Sequence, residues 1–167
     1  MGTSITTQAQ VRNENGRWED VNEDIFTAYG MPVSSPFTQQ NYDLFSLLAG
    51  VRNYAIAPVI KSPVGLPPEP ESSCQGEWGF SYSEPCSIHE GNHSKTWYLL
   101  SELLKFDYEK IFENRRSEFC SSDTVPEGEG RMMSLRQFVG SVYFDDLAVL
   151  STLADSDDVR VIMSFES

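Results

Sequence analysis

The sequence predicts an α+β fold, a single domain over residues 1–167 whose antiparallel sheet joins an N-terminal hairpin to a C-terminal strand. Three observations carry this. The chain opens on two short β-prone runs about an Asn-Gly turn, it closes on an alternating strand, and amphipathic helices lie between them. No repeated strand–helix alternation supports a parallel doubly wound sheet.

Ile5 to Arg12 is rich in Thr and Val, Asn13-Glu14-Asn15-Gly16 supplies a turn, and Arg17 to Val21 returns with Trp18 as core anchor. Gly30, Pro32 and Pro36 make residues 22–40 mostly loop. Asn41 to Ala49 predicts a helix, with Asn41 as N-cap, Gly50 as stop, and Leu44, Leu47 and Leu48 on one buried face. Pro58, Pro63, Pro67, Pro68, Pro70 and Pro85 forbid long elements through residues 58–92. Within that long proline-rich loop, Trp78, Phe80 and Tyr82 either line a pocket or cap the core.

A helix is expected from Tyr98 through Lys105 and as far as Arg115, with Leu100, Leu103 and Leu104 as its buried stripe and Phe106 and Ile111 extending it. Ser117 to Gly130 reads as a polar surface excursion. Ser134 and Gln137 stand in capping-box spacing for a short helix to Val139. A further helix, Val142 to Ala154, would bury Phe144, Leu147, Leu150 and Leu153. Asp155 to Asp158 is a turn. Val159 to Phe165 alternates as the closing strand, with Val159, Val161, Met163 and Phe165 on one face, pairing with the first hairpin.

At 40% hydrophobic and 12% aromatic residues the chain is a folded globule and not a disordered segment. No apolar run reaches the length of a membrane span, and the first ten residues lack the basic-then-apolar pattern of a secretory signal. Ser4 falls too early for a myristoylation site. A soluble, cytoplasmic protein is expected, with Cys74, Cys86 and Cys120 as free thiols. The net charge of −13 disfavours direct nucleic-acid binding, because phosphate contacts need a basic surface. It leaves solvated acidic faces, an acidic face for a basic partner, or a DNA mimic. The acids are spread, clustering only at Asp145-Asp146 and Asp155 to Asp158, which argues against mimicry.

The polar stretch Glu90 to Thr96, read as the lead-in to a helix, offers unpaired N–H groups and the positive end of a dipole to an anion. Cys74, Cys86, His89 and His93 invite a zinc reading, but the spacing is irregular and lacks a paired C-x₂-C half, so no metal or other cofactor is expected. His93-Ser94-Lys95-Thr96 is a loose half of a two-histidine phosphoesterase, and no second copy exists. A single-histidine site would use His93 as acid/base, oriented by Glu90 or Glu102. Satisfaction of His93 by a backbone carbonyl is the simpler outcome. Likewise, Arg52 just past a helix either binds an anion or pairs with a carboxylate.

Several of these segments together resemble a widespread family of small bacteriophage proteins. They are Asn41-Tyr42-Asp43-Leu44-Phe45-Ser46-Leu47-Leu48-Ala49-Gly50-Val51-Arg52-Asn53, then Gly65-Leu66-Pro67, then His93-Ser94 with Trp97, Glu102-Leu103-Leu104 and Asp107. The family pattern runs N-Y-x-L-F-x-L-L-A-x-V-R-N, then P-R-G-L-P, then H-S-x-S-W-L-x-L-x-E-L-L, and the order and spacing match over most of the chain. Val64 stands where the family has Arg, Thr96 where it has Ser, and Leu99 where it has a small hydroxyl residue. The resemblance implies a phage origin and an accessory role, not a particular reaction.

Together these readings suggest a pocket of Arg52, His93, Ser94 and Thr96 with aromatic Tyr42, Trp78 and Trp97, suited to a small phosphate-bearing ligand. The expected function is counter-defence in the host cytoplasm. The protein would sequester a nucleotide-derived immune signal, at a subunit interface of a homo-oligomer, or block a host defence protein. The alternatives are an enzyme cleaving a nucleotide phosphoester with His93 as acid/base, and an acidic interaction protein or DNA mimic.

Overall fold

A computed structural model describes residues 2–68 and 92–167. In chain order its elements are β1 (Ser4–Arg12), β2 (Trp18–Asp20), β3 (Phe26–Ala28), β4 (Met31–Val33), α1 (Tyr42–Ala49), β5 (His93–Leu99), α2 (Leu100–Lys105), β6 (Ile111–Asn114), β7 (Arg131–Ser134), α3 (Leu135–Val139), α4 (Ser141–Leu150) and β8 (Val159–Glu166). The fold is α+β. Two compact units divide it: unit 1 holds Met1–Gln40, Pro63–Lys105 and Asp145–Ser167, and unit 2 holds Asn41–Ser62 and Phe106–Phe144.

Unit 1 is built on an antiparallel sheet of order β2-β1-β8-β5. The opening hairpin and the closing strand pair as the sequence predicts, with Ile5 opposite Phe165 and Ala9 opposite Val161. The turn between β1 and β2 uses Gly16 at φ 79°, a left-handed conformation that glycine adopts without steric cost. On one face Ile5, Ala9, Val159, Val161, Met163 and Phe165 are buried, joined from β5 by Tyr98. The opposite face is mixed yet also buried, with Gln8, Gln10, Arg160 and Ser164 beside Ile162. Helix α2 packs on β5 and β8 through its buried Leu100 and Leu103.

Helix α4 contributes Leu147, Leu150 and Asp146 to unit 1, all buried. The Asp146 carboxylate accepts the Phe37 N–H at 2.8 Å, at a residue whose φ of 61° turns the chain sharply. Burial pushes this carboxyl up to about 6, against the Phe37 hydrogen bond, with Asp145 adding to the rise. A folded-state pKa above the unfolded one means that protonation favours the fold, so Asp146 supports stability at low pH and loses that support as pH rises through about 6. Asp146→Asn is therefore expected to stabilise the protein by about 1–2 kcal/mol at pH 7, discounting for residual solvation. The gain should vanish near pH 4, and denaturant titrations at the two pH values check it. An equal gain at both would show that the charge is not the cause.

Unit 2 contains α1, the β6–β7 hairpin and α3. The Asn41 side chain accepts the Asp43 and Leu44 N–H groups, and Gly50 ends α1 at φ 69°, as the local signals predict. Ser134 and Gln137 form the predicted capping box in full. Phe112 packs edge-on against Phe138 at 5.0 Å, and the buried Tyr108 and Tyr143 hydroxyls hydrogen-bond at 2.7 Å.

Four expectations need correction. Tyr98 and Leu99 are not helical: β5 runs through Leu99, because His93–Leu99 pairs with β8 and the β-prone Thr-Trp-Tyr run fits a pleated, half-buried surface. The helix stops at Lys105 and does not reach Arg115. Leu104 and Ile111 are exposed, so the buried stripe is Leu100 and Leu103 alone. Residues 22–40 contain the β3–β4 hairpin, turned at Tyr29 and Gly30, both at positive φ. Three-residue strands about a Tyr-Gly turn leave little pattern to read. Finally, the last helix ends at Leu150, four residues short. Residues 50–68 carry no helix or strand, and the rest of the proline-rich stretch lies outside the described residues.

Candidate functional site

The predicted site residues fall in both units, and each group is positioned by its own. In unit 1, His93 opens β5 at a register shift, followed by Ser94 at φ 52°. Its ring is exposed. Nδ1 lies 2.9 Å from Ser94 Oγ and Nε2 lies 3.0 Å from Ser167 Oγ. Glu102 does not orient it: that carboxylate accepts the Leu99 N–H at 2.8 Å, occupying the start of α2. At ~3.3 Å per residue, the strand holds His93 and Leu99 roughly 20 Å apart. His93 to Thr96, read as a helix-start anion site, thus lie in a strand, and the Glu102 carboxylate bonds back across the start of the short helix after it.

Thr96 is fully buried and its Oγ1 accepts the Val64 N–H at 3.4 Å, while the Gly65 N–H donates to the Lys95 carbonyl at 2.8 Å. Two of the segments that carry the phage resemblance, Gly65-Leu66-Pro67 and His93 to Trp97, are therefore joined along the β5 edge. Trp97 is half-buried, with the Arg160 guanidinium 5.9 Å from its ring. Arg160 sits closer to Trp18, at 4.2 Å, and its Nε donates to Gln10 Oε1 at 2.8 Å. Gln10 Nε2 in turn donates to Asp20 at 2.7 Å. This buried arginine was no part of the predicted site.

In unit 2, Tyr42 begins α1 with its ring 5.7 Å from Phe45. Arg52 follows the helix stop at φ 53° and donates from Nη1 to the Tyr54 hydroxyl at 3.1 Å. That hydrogen bond and the charge interaction with the same phenol push the Arg52 guanidinium up from its ordinary value. Trp78, together with Cys74, Cys86 and His89 of the zinc alternative, lies outside the described residues.

A site that sequence reasoning missed lies wholly within unit 2. A cavity of about 710 Å³ is lined by Asp43, Asn114, Arg116, Phe119, Arg131 and Met133, among others. Its walls are built locally. Asp43 stands in the first turn of α1, where a carboxylate complements the helix dipole. The chain leaves β6 into a loop closed by the Val125 N–H to the Arg115 carbonyl, 2.7 Å, and the Ser117 N–H to the Asp123 carbonyl, 2.9 Å. Glu113 then accepts the Gly128 and Gly130 N–H groups, each at 2.7 Å, and leads the chain into β7.

Gly130 is needed for this closure. A Cβ there would lie 2.6 Å from the Asn114 carbonyl oxygen, a backbone atom that cannot turn aside. Gly130→Ala is expected to cost about 1–3 kcal/mol through the forced shift. Thermal unfolding checks it, and an unchanged melting temperature would mean the loop is not held as described.

Arg116 defines the cavity chemically. Its Nη1 forms an ion pair with Asp43 Oδ1 at 2.5 Å. Nε and Nη2 are buried and have no hydrogen-bond partner among the described residues. Burial raises the Asp43 carboxyl above its ordinary value, and Arg116 pulls against that rise without cancelling it. Two orphaned donors on one guanidinium are costly unless a ligand or water satisfies them. Asp43 was visible only as part of a helix and Arg116 only as one charge before a polar loop, so no sequence signal joined them.

No helix among the described residues is long and apolar enough to cross a membrane. Comparison of the chain with protein-family models, with curated proteins and with solved structures finds no match.

Proposed function

We propose that this chain is a bacteriophage counter-defence protein acting in the host cytoplasm, and that it binds and sequesters a small nucleotide-derived signal without cleaving it. The observation that carries the reading is the unit 2 cavity, a concave site of about 710 Å³ whose lining includes Arg116, Arg131 and the exposed Phe119. The phage resemblance supplies the biological setting. Binding is favoured over cleavage by the surroundings of His93, whose ring nitrogens both face hydroxyls while Glu102 is engaged at the start of α2.

Purified protein incubated with a panel of linear and cyclic nucleotides tests the reading. A thermal shift is expected with one of them, and denaturing the complex should release that nucleotide at its original mass. Release of a cleaved product would make the protein an enzyme. No shift with any nucleotide would remove the sequestration reading and turn attention to a protein partner for the acidic surface.

A further inference from the structure

We infer that the open side of the unit 2 cavity is a contact between two copies of this chain, in which Phe119 of each copy seats at the cavity of the other. The contact needs no nucleotide and so goes beyond the sequestration reading. Phe119 is 101% exposed, so its own chain covers none of it, yet it stands on the cavity lining. Its backbone is fixed: Ser117 Oγ accepts the Phe119 N–H at 3.2 Å and the Cys120 N–H at 3.3 Å. A single exposed apolar side chain is ordinary on a protein surface. One held at the rim of a concave site is a knob beside a hole, and a knob and a hole on the same face fit a second copy of that face.

The hole is built from the β6–β7 hairpin and the loop between its strands. Asn114 pairs with Arg131 and Phe112 with Met133, which sets Asn114, Arg131 and Met133 on the face that lines the cavity. Met133 and the loop residue Val125 are half-buried and give it apolar wall for a ring to cover. The cavity, about 710 Å³, is roomier than one aromatic side chain requires, so a seated ring closes its mouth without filling it. Arg116 Nε and Nη2 are buried beneath this surface and take no part in the contact.

Charge selects the occupant. The lining carries Arg116 and Arg131 against Asp43, Glu118 and Glu129, a formal balance of +2 − 3 = −1, while the whole chain carries −13. Two copies that met over an average stretch of this surface would set acid against acid. The cavity face is close to balanced, and its exposed rim bears both signs, Arg131 with Glu118 and Glu129. Rotation by a two-fold axis sets each Arg131 against a carboxylate of the other copy, and does so twice. A basic protein drawn by the chain's acidity gains more on any other face, whereas a mixed-sign face is complementary to itself.

Sedimentation velocity of the whole protein, free of nucleotide and over a concentration series, tests this contact. A dimer forming at micromolar concentration and growing no larger is expected, because a two-fold contact closes on itself. Phe119→Ser should weaken it at least about a hundredfold, since each dimer loses two anchors. Arg131→Glu should weaken it at least about tenfold. Phe119 is covered by nothing in its own chain, so Phe119→Ser should melt at the wild-type temperature at dilutions where both proteins are monomeric, which separates loss of contact from loss of fold. A wild-type protein that stays monomeric at every concentration would overturn the inference. A dimer that Phe119→Ser leaves intact would overturn it equally. A Phe119-dependent dimer that retains no nucleotide leaves this contact standing and removes sequestration; a monomer that retains one does the reverse.

Discussion

Arg160→Ala is expected to lower folding stability by about 3–5 kcal/mol, because it leaves buried polar partners without their cation. Arg160 is 2% exposed, in a strand whose residues are buried on both faces. The Trp18 ring lies 4.2 Å from its guanidinium, and Gln10 passes its influence to Asp20 through one hydrogen bond on each side. Burial already holds the Asp20 carboxyl above its ordinary value, with Gln10 first and Arg160 second pulling it down. Removing Arg160 takes away that second restraint. The carboxyl then rises further, and a folded-state pKa above the unfolded one favours the fold only when protonated. The variant should consequently regain part of its stability as pH falls from 7 towards 4. Arg160→Lys retains a charge but loses the Nε donor and the flat face over the indole, so an intermediate loss is expected. Denaturant unfolding of both variants at two pH values measures this. A loss under about 1 kcal/mol for Arg160→Ala would mean that the cluster contributes little to the fold.

The elements legible in the sequence are those whose signals are local. Asn41 and Gly50 bracket α1 within its own residues, Ser134 and Gln137 satisfy each other across one turn, and the Asn-Gly turn of the first hairpin needs only its own backbone. What sequence reasoning misplaced depends on partners far along the chain. Thr96 to Leu104 contains both a β-prone half and a helical half, and pairing with β8 decides that the boundary falls after Leu99. β6 and β7 are four residues each and take their strand form from one another, so an isolated reading of either sees a helix tail or a loop.

The site was less legible than the fold for the same reason. The phage-like segments do converge in part, since Val64 and Gly65 hydrogen-bond along β5. Arg52, however, belongs to unit 2 and meets Tyr54 there, and His93 belongs to unit 1. Arg116 and Asp43 give no spacing signal, because one follows a four-residue strand and the other opens a helix. Only the folded unit reveals that a guanidinium edge is left unsatisfied. The buried polar face of β8 was similarly hidden. Alternation in a strand predicts two faces and does not say whether the polar one meets water.

The double substitution Asp43→Asn with Arg116→Met is expected to be more stable than the wild type by about 1–3 kcal/mol and to bind no nucleotide. Each single change should behave differently. Arg116→Met leaves the Asp43 carboxyl, already raised by desolvation, without its cation, and Asp43→Asn leaves a largely buried guanidinium without its anion. Both singles should therefore be destabilised, and the double should recover, which is a coupling that independent sites do not show. Denaturant unfolding of the four proteins closes the cycle, and simple additivity would remove the pair from the account. The physical reason for the expected gain is the pair of orphaned Arg116 donors: their desolvation opposes folding, and methionine of similar length removes it. If the double variant is stabilised and loses its ligand together, the Arg116–Asp43 pair serves the cavity and not the fold.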